Sequence, residues 1–110
     1  MKRLRAIAAC ASLLLALPAM AQDAERAELM QLYLASVVAD RCEFPLSELD
    51  ADAIQRASIA LQKKLKLSDQ AADDLFTEVE LGFEKKLPDA CKKDGEFAKG
   101  YEQVLERLRK

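Results

Sequence analysis

Phe97-Ala98-Lys99-Gly100-Tyr101-Glu102-Gln103-Val104-Leu105-Glu106-Arg107-Leu108 is the stretch whose pattern decides the fold class. Its apolar residues, Phe97, Ala98, Tyr101, Val104, Leu105 and Leu108, recur at steps of three and four. That spacing gathers them on one side of an α-helix and leaves the charged residues on the other. A half-buried strand would alternate instead, and this stretch does not. Asp94-Gly95 opens the segment. Gly100 sits inside it, at a cost of about 1 kcal/mol relative to Ala.

Three more helical segments are read outward from this one. Ala72, Leu75, Phe76, Val79, Phe83 and Leu87 form a stripe that starts after a Ser68 cap and stops at Pro88. Asp69, Asp73 and Asp74 crowd its first turns, and Lys85 and Lys86 its end, as the helix dipole favours. Before it, Ala53, Ile54, Ala57, Leu61 and Leu65 follow a Ser47 cap, with Asp50 three residues on as a short capping box. The earliest amphipathic segment runs from about Asp23 to Arg41, with Ala27, Met30, Leu34, Val37 and Val38 on one face, widened by Leu29 and Tyr33. Phe44-Pro45 ends it. No strand signal, repeat or low-complexity stretch interrupts the pattern. The expected fold is all-α, a small four-helix up-down bundle. Phe76, Phe83, Phe97, Tyr101, Leu61 and Leu65 lie centrally on their stripes and are expected to be buried together.

Ahead of these segments the chain reads as an address. Lys2, Arg3 and Arg5 precede an apolar run from Ala6 to Ala16, and Ala19-Met20-Ala21 supplies small residues flanking a cleavage point. This is the three-part layout of a secretory signal peptide. The apolar run is shorter than the ~20 residues of a bilayer span. Cys10 fits a lipobox only loosely. Cleavage after Ala21 divides the chain into residues 1–21 and a single helical domain, residues 22–110, in the periplasm or outside the cell, with no membrane segment left. The basic count then falls from 17 to 14 against 19 acids, a net charge of −5. That balance gives no reason to expect nucleic-acid binding.

Two cysteines remain in this part, Cys42 and Cys91. An even count in a small exported domain points to a disulfide. Up-down-up order puts the ends of the first and third helices at one end of the bundle, where these two cysteines lie.

Chemistry is nearly excluded. The 110 residues contain no His, which removes Ser-His, Cys-His and His-metal sites together. Ser36, Ser47, Ser58 and Ser68 stand in no G-x-S-x-G or S-x-x-K context. Asp50-x-Asp52 begins like a calcium loop, but Ile54 and Gln55 follow where a ligand and a glycine belong. No catalytic residue, metal ligand or cofactor is expected. What remains is a protein partner or client, a homodimer also being compatible. Leu32, Ile59 and Leu81 each lie off the apolar stripe of their helix. A helix touching two neighbours buries a wide stripe, which could absorb all three; exposed, they would form a partner surface.

The arrangement resembles two groups of proteins. Cys42-Glu43 followed by Phe44, and Ala90-Cys91 followed by Lys92-Lys93-Asp94 and Phe97, are similar to the HdeA-type periplasmic acid-stress chaperones. The chain departs from them in lacking Trp and in placing Cys42 at the end of a long helix. Arg41-Cys42-Glu43-Phe44 also resembles the segment after helix one in small two-cysteine, four-helix exported proteins of proteobacteria. The second resemblance implies fold and compartment; the first implies an acid-responsive chaperone. Strong acid would neutralise the 19 carboxylates and leave 14 positive charges, whose repulsion loosens a bundle. Two functions are thus expected to compete: a small periplasmic, acid-responsive binding protein, or an accessory subunit or inhibitor of one exported partner.

Overall fold

The structure, a computed structural model, describes the backbone from residue 2 to residue 110 and the side chains from Met20 onward. Four α-helices follow one another: α1 (Lys2–Cys42), α2 (Glu48–Lys64), α3 (Asp69–Glu84) and α4 (Glu96–Arg109), with a single 3-10 turn, Asp89–Cys91, before the last. Among the described residues there is no strand. The fold is an all-α four-helix bundle closed by one disulfide, Cys42–Cys91, whose Cα atoms are 5.2 Å apart.

The first helix is longer than its amphipathic pattern predicts. It starts at Lys2, not near Asp23: the Ala- and Leu-rich run before it favours helix, no glycine separates the two parts, and the helix continues through Pro18 and Asp23. The expected signal segment therefore continues into α1 in the backbone, and its side chains before Met20 lie outside the described residues. Burial along α1 begins only at Leu29; Met20 is 67% exposed, and the residues between are exposed or half-buried. Cleavage after Ala21 would take no described side chain out of the core.

The serine caps form where the sequence puts them. Ser47 Oγ accepts from the Asp50 N–H and Ser68 Oγ from the Ala71 N–H, each at 3.1 Å. The carboxylate of Asp50 does something other than complete a capping box, as described below. At the end of α2 the chain turns through Lys66 at φ 55°, and the N–H groups of Lys66 and Leu67 bond back to Lys63 and Gln62. This left-handed turn satisfies the last carbonyls of the helix.

Distant contacts fix the up-down order. Arg41 at the end of α1 pairs with Glu84 at the end of α3, Nη1 to Oε1 2.8 Å. Gln62 near the end of α2 donates to the Tyr33 hydroxyl at 2.6 Å, in the middle of α1. Arg107 at the end of α4 reaches Gln31. The four helices are not equivalent members of a ring, however. α1 packs against each of α2, α3 and α4, which makes it the central element.

That centrality corrects two expectations. Between Leu29 and Ala39 α1 is buried on nearly all sides, through Leu29, Leu32, Tyr33, Ala35, Val37, Val38 and Ala39. Leu32 is 3% exposed and belongs to the core, not to a partner surface. The predicted face is also rotated: Ala27 is exposed, and Met30 and Leu34 are half-buried. Elsewhere the stripes hold except at the end of α3, which stops at Glu84 rather than at Pro88, leaves Leu87 38% exposed and puts Lys85 and Lys86 past its last turn. Phe83, Tyr101 and Leu61 are buried, and Phe76, Phe97 and Leu65 pack half-buried against the same cluster. Phe83 meets Phe97 edge-on with centroids 5.2 Å apart, and Tyr33 meets Phe76 likewise at 5.4 Å.

Candidate functional site

The amphipathic pattern of α4 directs Tyr101, Val104 and Leu105 into the core and leaves the flank of the helix over α1 less filled. A groove of about 660 Å³ opens there. Its floor is Leu34, Ala35 and Val38 of α1 with Phe97 and Val104 of α4. Ala35, Val38 and Val104 are buried, and Leu34 and Phe97 are half-buried. Gly100 stands at the wall, where a Cβ would meet nothing within 4 Å. The helix thus carries an interior glycine that its own packing does not require.

Polar contacts hold the wall in place. Arg107 Nη2 donates to Gln31 Oε1 at 2.8 Å and ties the last turns of α4 to α1. On the other side of α4 the Tyr101 hydroxyl donates to the Pro45 carbonyl at 2.8 Å. Burial raises the Tyr101 pKa, which keeps the hydroxyl a donor. Arg109 then grips Asp50 with Nη2 to Oδ2 at 2.7 Å and Nε to Oδ1 at 3.4 Å. Asp50 is 8% exposed, the one buried acid among the described residues. Hydrogen bonds from Arg109 lower its pKa from the usual carboxylate value, against the opposing effect of burial, and the Ser47 contact adds to the lowering. The start of α2 and the end of α4 are therefore joined by a charge pair.

A second, smaller hollow of about 240 Å³ lies between α1 and α2, beside Ser36, Asp40, Leu46 and Ile54. The serines serve the fold: Ser47 and Ser68 cap helices, and Ser58 is buried with its hydroxyl donating to the Ile54 carbonyl at 2.8 Å. Among the described residues no three of His, Cys, Asp and Glu cluster as metal ligands. No helix among them is long and apolar enough to cross a membrane.

No protein-family model, curated protein or solved structure matches the chain. The site must be read from its own geometry.

Of the residues singled out for a partner surface, Ile59 is 41% and Leu81 52% exposed. They stand on α2 and α3, helices that do not form one of the main packing pairs. Sequence reasoning missed Leu49, 83% exposed at the start of α2 and opposite that helix's buried face. It also missed the groove. Leu34 reads as plain core on the wheel, and Gly100 reads only as a weak point in its helix. An interior glycine beside a predicted core face was the one available signal.

Proposed function

We propose that this chain is a small exported binding protein that takes an apolar segment of another protein into the α1–α4 groove. The observation that carries the reading is the groove floor. Leu34, Ala35, Val38, Phe97 and Val104 form a continuous apolar strip along a helix pair, and Gly100 leaves room beside it for close approach. Leu34 is the floor residue a ligand would cover best, being only half-buried by its own chain. Export is supported by the signal-like residues 1–21 and by the disulfide, which suits an oxidising compartment.

Acid response is part of the proposal. The groove wall is held at its outer end by Arg109 on Asp50, a contact that requires the ionised carboxylate. Protonation would release it while the disulfide still joins α1 to the segment before α4.

The test is suppression of client aggregation at neutral and strongly acidic pH, comparing the protein with Gly100→Phe. The phenylalanine enters the space beside Gly100 without removing any core side chain. The protein should suppress aggregation, more so in acid, and the variant should lose most of that effect. Equal suppression by both would refute the groove as the binding site. No suppression, with one stoichiometric partner captured from cells, would favour the accessory-subunit or inhibitor reading.

A further inference from the structure

Arg41, Arg56 and Arg109 each meet a carboxylate, those of Glu84, Asp52 and Asp50. Arg107 is held differently. Its Nη2 donates to the amide oxygen of Gln31 at 2.8 Å, and it enters no ion pair among the described residues. A neutral acceptor fixes a guanidinium without cancelling its charge. One of the five N–H groups is used, and the others stay free for a second acceptor. Gln31 lines the groove from α1 and Arg107 from α4, and both are exposed. The other charges lining the groove balance. Glu96 and Lys99 stand three residues apart on α4, and Glu106 and Lys110 four apart, spacings that bring opposite charges together on a helix. Arg107 is the charge left over, at the end of an apolar floor of Leu34, Ala35, Val38 and Val104. From Met20 to Glu28 α1 is exposed or half-buried, which leaves that end of the groove open to a chain running through it.

We infer that the protein segment taken into the groove carries an Asp or Glu side chain beside its apolar residues, and that Arg107, positioned by Gln31, selects it. The inference rests on the groove reading and names the class of segment that the groove prefers. A guanidinium suits this task because its planar fork meets both oxygens of a carboxylate. The preference exists only while that carboxylate is ionised. It is present above the pKa of the ligand's side chain, about 4.3 for Glu, and is lost as pH falls through that value. The groove is therefore selective at neutral pH and indiscriminate in acid.

The experiment is fluorescence anisotropy of two labelled peptides titrated with the protein at pH 7. Each is about 14 residues long, enough to span α4 as a helix, is blocked at both termini and carries an apolar stripe at helical spacing. One has Glu beside the stripe at each end and the other has Gln, so either orientation brings the differing side chain to Arg107. The protein should bind the Glu peptide about fivefold more tightly, the upper end for an exposed ion pair. Two variants should erase the preference. Arg107→Gln removes the charge and keeps an amide that can still bond to Gln31. Gln31→Glu keeps Arg107 in place and supplies a carboxylate that occupies it. An unchanged circular dichroism spectrum verifies the fold of both. Equal binding of the two peptides by the protein, or a preference that survives either variant, overturns the inference. If the peptides bind equally and Gly100→Phe abolishes both, the groove reading stands and this inference falls. If neither peptide binds, or Gly100→Phe weakens neither, the groove reading falls and this inference falls with it.

Discussion

Phe83→Ala tests the packing that orients α3. Phe83 is 1% exposed and sits edge-on to Phe97 at 5.2 Å, where the end of α3 and the start of α4 meet near the disulfide. Removing the ring takes its apolar surface out of the core and leaves a cavity that helices tied by Cys42–Cys91 cannot easily collapse. The expected loss is about 3–5 kcal/mol, the range for buried aromatic truncations, and it includes the ring-pair contact. A domain of this length has a net stability of about 5–13 kcal/mol, so the loss is a large fraction of the whole. At about 4–8 °C per kcal/mol, Tm should fall by roughly 15–30 °C. Two residues earlier, Leu81 is 52% exposed, and Leu81→Ala should change stability by no more than about 0.5 kcal/mol. Urea and thermal unfolding followed by circular dichroism measure both. A loss below about 1 kcal/mol at Phe83, or a larger one at Leu81, would mean that α3 presents its other face to the core.

Two further outcomes follow from the crosslink and from the buried acid. Replacing both Cys42 and Cys91 by Ala frees a loop closed across a sequence separation of 49 and should cost up to about 4 kcal/mol in denaturant unfolding, with an unchanged helical spectrum in the folded state. For Asp50 the folded-state pKa lies below the unfolded one, so its stabilisation is fully present above the unfolded value, near 3.9, and is lost as pH falls through the folded value. Unfolding midpoints taken down the acid range should therefore drop in that window for the protein and drop less for Asp50→Asn; equal slopes would show that the Arg109 contact contributes nothing to acid sensitivity.

What was legible in the sequence was what each helix decides locally. The α4 stripe, the Ser47 and Ser68 caps and the pairing of two cysteines all depend on residues within a few turns or on a parity of two, whereas α3 ends at Glu84, four residues before the Pro88 expected to stop it. Leu32 was left open between core and partner surface because its burial depends on how many neighbours α1 has, and the periodicity of one helix cannot count them. Asp50 looked like half of a capping box, yet its carboxylate bonds to Arg109, 59 residues away. The groove was hidden for a related reason. It exists because α4 leaves Leu34 partly uncovered, which is a property of two helices and the space beside them.

The bridge also sets the topology of the chain under attack by a protease. Cys42 and Cys91 enclose α2 and α3 in a covalent ring, with α1 and α4 leaving it as two tails. A single cut inside the ring opens it into a branched molecule that keeps all its mass until a reductant is added. One cut in α4 instead sheds a free peptide carrying the groove wall at once. Non-reducing and reducing gels of the same digest therefore distinguish a nick in α2 or α3 from one in α4 by whether mass is lost before the sulfurs are separated.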